Sequence, residues 1–519
     1  MPHPSVTAET YPHKPAVIMG ASGEMVTYRE LDEESNRGAQ LFRSLGLKAG
    51  DHIGFMLENN RHFMEIVWAA QRSGLIFTPV STHLTRDETA YILRNCNAKL
   101  FIGSHELANV AEQVREEVGE IGHFYMVGGI RPGFESWEEA IADQPETPID
   151  DQANGVPMLY SSGTTGKPKG VFVAPPDNDV NTPPAVANLI GPLFGFSEET
   201  VYLSPAPLYH AAPLHYCMGA IYNGGTIIVM EKFAPEDALR LIEEYRVTHS
   251  QWVPIMFVRM LKLPREVREA YDLGSMQYAI HAAAPCPVAV KEKMIEWWGE
   301  VIVEYYSASE GIGFTAIDAA DWMQHKGSVG KSLLGDIHIV DDDGNELPPG
   351  EIGTVYFGGD HTTFEYYDEP EKTAQAYNDR GWATCGDIGY VDEEGYLYLT
   401  DRKNFTIISG GVNIYPQEVE NILVTHDKIA DVAVFGVPNE EFGEEVKAVV
   451  EPVNWADATD ETAFEILEWL RERISHIKMP RSLDFHPELP RMDNGKMYKR
   501  RLVEEYRGAT RSDDKPPAD

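Results

Sequence analysis

No apolar run in this chain approaches the roughly 20 residues a helix needs to cross a bilayer, so an integral membrane protein is not expected. Cysteine is scarce: Cys96, Cys217, Cys286 and Cys385 lie far apart and form no CxxC pair. They read as free thiols of a reducing compartment, which excludes a disulfide framework or a zinc ribbon. Positive charge is short as well. Against 82 Asp and Glu there are only 43 Lys and Arg, for a formal net charge of −39. Nucleic acid is therefore not an expected partner, because binding it requires a basic surface that neutralises phosphates. Anionic membranes are disfavoured on the same ground. The N-terminal stretch lacks a basic region followed by an apolar core, so a secretory signal is not expected and a cytoplasmic location is.

What is present describes a globular protein: 43% hydrophobic and 10% aromatic residues. At 519 residues the chain is too long for one ordinary core, and two or more domains are expected. Short apolar runs alternate with amphipathic stretches, the pattern of α/β layers. Thr27 and Glu30 have capping-box spacing ahead of a helical run through Leu31, Ala39, Leu41 and Phe42. Residues 51–57 read as a buried strand, and Pro235 opens a helix with Ala238, Leu239, Leu241, Ile242 and Tyr245 at helical spacing. A boundary falls near residue 400, where the alternating run 395–400 gives way to a more polar unit beginning at Asp401. That unit holds a helix from Pro416, a strand over 431–437 and a helix over 461–474. The organisation predicted is a domain over 1–400, a smaller one over 401–507, and a polar, disordered tail over 508–519.

The densest chemistry lies in residues 160–170. Gly163 and Gly166 let the backbone approach a ligand closely, so that successive N–H groups can line one concavity. Ser161, Ser162, Thr164 and Thr165 add hydroxyl donors, while Lys167 and Lys169 add positive charge. The combination suits a polyphosphate. Short apolar runs, 156–160 and 171–173, read as strands entering and leaving the loop. A Walker A is excluded by the spacing: Gly163 and Gly166 are three apart, and Pro168 follows Lys167. Given the acidic surface, an anionic ligand would depend on such local donors.

This loop closely resembles the phosphate-binding loop of the adenylate-forming superfamily of acyl-CoA synthetases and related adenylating enzymes. Further blocks follow in that family's order from about Thr27 to Arg500. The run ending in Tyr306, Ser309 and Glu310 matches the family's Tyr-Gly-x-Thr-Glu, with Ser307 for Gly and Ser309 for Thr. The resemblance implies that Tyr306 packs on adenine, Ser309 meets the phosphates and Glu310 ligates Mg²⁺. Residues 383–387 resemble its Thr-Gly-Asp segment with Cys385 in place of Thr, implying that Asp387 and then Arg402 contact the ribose. The strip after His281 corresponds to the family's adenine-binding Gly-Ala-Pro, here Ala283, Ala284 and Pro285. Gly410 and Gly411 match the turn that admits the pantetheine arm of CoA, and Lys496 matches the adenylation lysine. His210 matches the histidine beside the substrate carboxylate, with Trp252, Met256 and Ala282 expected to wall the acyl pocket.

Two stretches depart from the family pattern. Asn404 stands at the hinge where Asp or Lys is usual, followed by Phe405 where an acid is common, and residues 174–184 form a proline-rich connection. The resemblance implies a large multi-layer α/β N-terminal domain with a small mobile α+β C-terminal domain. It also implies an ATP-, Mg²⁺- and CoA-dependent ligase acting on a fatty or bulky alicyclic or aryl acid. Two alternatives stay open: an adenylating enzyme that loads a carrier protein, and a nucleotide-binding protein with a decayed site. A homodimer is compatible with the resemblance.

Overall fold

Thr27 starts the first long helix as its spacing requires. Its hydroxyl accepts from the Glu30 N–H at 3.3 Å and the Glu30 carboxylate accepts from the Thr27 N–H at 2.7 Å, closing a capping box ahead of Tyr28–Ser44. That helix buries Tyr28, Leu31, Ala39 and Phe42 and packs on the helix His62–Arg72. A side chain at Gly38 would place its Cβ 2.7 Å from that of Ala69, so glycine sets how closely the two helices approach. Each large apolar side chain removed from water here contributes about 1.5–3 kcal/mol.

The computed structural model describes residues 3–161, 168–175, 177–359, 364–402, 405–409, 412–439, 442–491 and 497–509. A nine-stranded sheet forms its centre. Six neighbouring strands run parallel in the order 302–307, 278–281, 249–252, 201–204, 226–229 and 15–19, with antiparallel strands at both edges. A six-stranded sheet, parallel throughout, carries the strand His52–Met56, every residue of which is buried. A four-stranded antiparallel sheet joins Asp336–Val340, Gly353–Gly358, Asp387–Val391 and Leu397–Arg402. The mixed α/β architecture is the expected one, and no helix among the described residues is long and apolar enough to cross a membrane.

The C-terminal part has its own five-stranded sheet, built on the long hairpin Ile429–Asn439 and Gly443–Pro452, with the helices Pro416–Leu423, Asp460–Arg471 and Lys499–Ala509. The structure differs from the sequence reading in three places. The run 156–160 is not one strand: Val156–Pro157 ends the six-stranded sheet, while Leu159–Ser161 starts a separate three-stranded one. The strand expected to stop at residue 400 continues through Arg402, because Asp401 and Arg402 pair with Ile388 and Asp387. The last helix runs through Ala509, so the expected disordered tail cannot begin at 508.

Candidate active site

Three sheets are joined here by side-chain contacts. The hairpin Leu159–Ser161 and Lys169–Phe172 pairs Lys169 with Ser161, and on its other edge it takes Glu365–Tyr366 as a third strand. This brings two segments almost two hundred residues apart into contact: the Lys169 ammonium lies 4.4 Å from the centre of the Tyr366 ring, a cation–π contact. The Tyr366 hydroxyl in turn donates to Glu310 Oε1 at 2.9 Å. Tyr160 anchors the hairpin from below through a 2.5 Å bond to Asn95 Oδ1. Ser162, Gly163, Thr164, Thr165 and Gly166 fall outside the described residues, and so do Asn404, Gly410, Gly411 and Lys496.

Glu310 is delivered by the strand Ile302–Ser307, whose side chains alternate between faces. Tyr305 points one way and stacks on Phe314 and Tyr216, with ring centres 5.0 and 5.9 Å away. Tyr306 points the other way, 6.1 Å from the Phe357 ring, and its hydroxyl donates to Asp387 Oδ2 at 2.6 Å. Ser307, the residue in the place of glycine, spends its hydroxyl on the Gly313 carbonyl at 2.8 Å, tying down the turn that carries Ser309 and Glu310. Ser309 is exposed there and Glu310 is half-buried.

Asp387 begins its strand after a turn held by Thr384, whose hydroxyl donates to the Val355 carbonyl at 2.7 Å and accepts from the Gly386 N–H at 3.0 Å. Arg402 stands directly opposite Asp387 in the ladder, so the two expected ribose contacts are neighbours in register. Ala283 has φ of 75°, the left-handed region that costs an L-residue about 1–2 kcal/mol. Its backbone, in the strip expected to meet adenine, is therefore strained. Behind the strip lies a buried pair, Lys291 Nζ to Glu304 Oε2 at 2.6 Å, with His281 3.7 Å from the same carboxylate. Burial raises the Glu304 carboxyl above its ordinary range despite Lys291, and burial together with Lys291 keeps His281 far below its own.

His210 caps the helix Ala211–Tyr222 in extended backbone, its ring edge-on to Tyr209 at 4.5 Å. The loop leading to it is held by Asn59, which accepts from the Leu208 N–H at 2.8 Å and donates to the Ala206 and Met230 carbonyls. The expected acyl-wall residues divide between two faces of the central sheet. Ala282 belongs to the core cluster that contains this helix. Trp252 and Met256 belong to the other cluster, where Trp252 lies against Phe257 and Trp298 and its ring N–H donates to Ser250. Those two residues are thus grouped with a different part of the core from the His210 helix.

A Mg²⁺ ion is tested by the donor set itself. Among the described residues no group of three His, Cys, Asp or Glu could cage a metal. Glu310 offers one hard carboxylate, linked through Tyr366 to the hairpin that carries Lys169. That fits an ion that arrives on phosphate oxygens and keeps its waters, as Mg²⁺ does.

Tyr366 and Asn59 were invisible to sequence reasoning. Tyr366 has no motif around it and reaches Glu310 only through a long-range strand pairing; Asn59 acts entirely through backbone groups of a distant loop.

The sequence model of the AMP-binding enzymes matches residues 5–367, and that of their C-terminal domain matches residues 418–496. A feruloyl-CoA synthase of Amycolatopsis is 32% identical over 497 residues, spanning 95% of this chain and 96% of its own length. A long-chain-fatty-acid–CoA ligase of Mycobacterium tuberculosis is 31% identical over 508 residues, covering 96% and 97%. The crystal structure of ATP-bound MatB from Rhodopseudomonas palustris superimposes with a TM-score of 0.80 at 26% identity, over 97% of this chain and 99% of that one.

Proposed function

The chain belongs to the AMP-binding enzymes as an AMP-forming acid–thiol ligase, and from that premise we propose that it activates a fatty or bulky aryl or alicyclic acid with ATP and transfers it to CoA. One observation carries the reading: two hydrogen-bonded pairs, Tyr366–Glu310 and Tyr306–Asp387, tie the strand 302–307 and the turn after it to the two neighbouring sheets. The first lies beside the phosphate hairpin, and the second lies in the ladder with Arg402.

In the first step a carboxylate oxygen attacks the α-phosphorus, the bond to the bridging oxygen breaks, and pyrophosphate leaves. The acid becomes a mixed anhydride with a good leaving group. In the second step the CoA sulfur attacks the acyl carbon, the thiol proton is lost, and AMP departs. Ser161, Ser162, Gly163, Thr164, Thr165, Gly166 and Lys169 hold the triphosphate, with Ser309 beside it. Glu310 would hold Mg²⁺, which neutralises phosphate charge when bound. Ala283, Ala284, Pro285 and Tyr306 frame the adenine, and Asp387 and Arg402 hold the ribose. His210 orients the carboxylate, and Lys496 bridges it to the α-phosphate as charge develops. Gly410 and Gly411 line the path of the pantetheine arm. A C-terminal domain beginning near residue 401 turns about Asn404 between the steps, so that Lys496 and the glycine pair serve in succession.

The relatives named for ferulate and for long-chain fatty acids support an acid with a substantial apolar part. Lys496→Ala tests the assignment. Acyl-AMP formation should fall by about 10²–10³, the cost of one positioned charge contact, while thioester formation from supplied acyl-AMP and free CoA persists without any carrier protein. Equal loss in both steps overturns it, and thioester formation only on a carrier protein would move the acceptor from CoA to that protein.

A further inference from the structure

The helix Ala211–Tyr222 is unevenly covered. Ala211, Ala212 and His215 are partly accessible, whereas Pro213, Leu214 and every residue from Tyr216 to Tyr222 are buried. Residues three and four apart share a helix face, so Ala211, Ala212 and His215 form one stripe. It begins at the half-exposed His210 and stops at His215, beyond which no side of the helix is open. Along the stripe the side chains are two methyl groups and then, at its inner end, an imidazole.

That imidazole has an unmet need. His215 Nδ1 is shielded from solvent, and among the described residues nothing hydrogen-bonds it. Several buried side-chain atoms of the described residues share this state, and each is a place where a ligand or ordered water can complete the set; His215 carries one at the inner end of the stripe. The surroundings desolvate the ring strongly enough to lower its pKa to about 4. At neutral pH the ring is uncharged, with one nitrogen a donor and the other an acceptor. It can serve a hydroxyl or carbonyl oxygen, but offers no countercharge to a second carboxylate.

We propose that His215 ends the acyl channel and hydrogen-bonds an oxygen of the substrate, so that the acid carries a hydroxyl or carbonyl group remote from its carboxylate. Five residues at 1.5 Å each put His215 about 7.5 Å beyond His210 along the helix axis, which sets the approximate spacing between the two oxygen-bearing ends. The proposal rests on the acid lying beside His210 as proposed above. It makes His215 a specificity residue, distinct from the adenylation machinery.

Matched acids test it: 4-hydroxycinnamate against cinnamate, and 6-hydroxyhexanoate against hexanoate, compared by kcat/KM from pyrophosphate release with ATP and free CoA. The wild-type enzyme should favour the hydroxylated member of at least one pair by about 5- to 150-fold, the range expected when a buried polar group is otherwise left unpaired. His215→Phe should bring that ratio close to one while leaving the unsubstituted acid within a few-fold of its wild-type value. His215→Gln, which can still hydrogen-bond, should keep part of the preference. His215→Leu serves if the Phe variant does not fold, and the wild-type ratio requires no variant. Absence of preference in the wild type, or its survival in a folded apolar variant, overturns the proposal while leaving the ligase reading intact. Failure to adenylate any acid in a broad panel overturns both.

Discussion

Replacing Tyr306 by phenylalanine removes one oxygen and isolates the contribution of a single hydrogen bond to nucleotide binding. The hydroxyl donates to Asp387 at 2.6 Å, the length of a charge-assisted O–H···O⁻ bond. Asp387 is only 8% exposed, so bulk water has little access to replace the lost donor. A hydrogen bond to a charged group contributes about 1.5–3 kcal/mol, which at 1.4 kcal/mol per decade corresponds to about 10- to 150-fold. If the bond fixes the carboxylate in the orientation the ribose meets, Tyr306→Phe should raise the KM for ATP by that factor and leave the KM for the acid unchanged. The assay is acid-dependent pyrophosphate exchange at varied ATP, with thermal unfolding of the same preparation alongside. A folded variant whose KM for ATP stays within twofold of wild type refutes the reasoning. Should the melting temperature fall without a change in KM, the hydroxyl serves to join the two sheets and not to bind nucleotide.

Glu310→Gln should move the Mg²⁺ requirement of adenylation to much higher concentrations, and Tyr366→Phe should do so more weakly; superimposable Mg²⁺ titrations would make Glu310 structural. Ala283→Gly relieves about 1–2 kcal/mol of left-handed strain and returns about 0.4–1 kcal/mol through a more flexible unfolded chain. A net gain of roughly 0.5–1 kcal/mol should then appear as a higher urea midpoint, and a lower midpoint contradicts the strain argument. Lys291→Met strands the buried Glu304 carboxylate and should cost about 3–5 kcal/mol, much of it recovered in Lys291→Met/Glu304→Gln. Strict additivity in that double-mutant cycle would show that the 2.6 Å pair is not coupled.

Local signals carried furthest in reading this chain. The Thr27 capping box, the buried strand at 52–56 and the helix opened by Pro235 stand where residue type and spacing put them. Those signals are completed within a few residues, so no distant pairing can undo them. Facing is harder to read. In a parallel strand covered on both sides, apolar residues occupy both faces, and the pattern does not say which face a given side chain takes. Trp252 looks like a pocket wall in sequence, yet alternation in the strand His249–Trp252 sends it with Ser250 to one side, while His249 turns toward Phe194 on the other. Ala283 illustrates a different limit: its positive φ contradicts local preference and is imposed by the surrounding fold. Tyr366 shows the last, since a contact created by pairing strands from distant parts of the chain leaves no trace in either segment alone.

The ladder joining Asp387 to Arg402 also sets a mechanical condition. A lever turns only about a point whose near side is clamped, and here interstrand hydrogen bonds hold the chain as far as Arg402. Torsion applied from the C-terminal side cannot spread upstream without unzipping the rung at which the nucleotide sugar would sit. With the sugar bound there as proposed, its occupancy and the proposed pivot's anchorage would reinforce each other: a ligand bracing that rung would stiffen the mount, and an empty rung would leave it free to fray. On the proposals above, acid choice at His215 and the anchorage at the Asp387–Arg402 rung would lie in separate parts of the fold, so that one could change without the other.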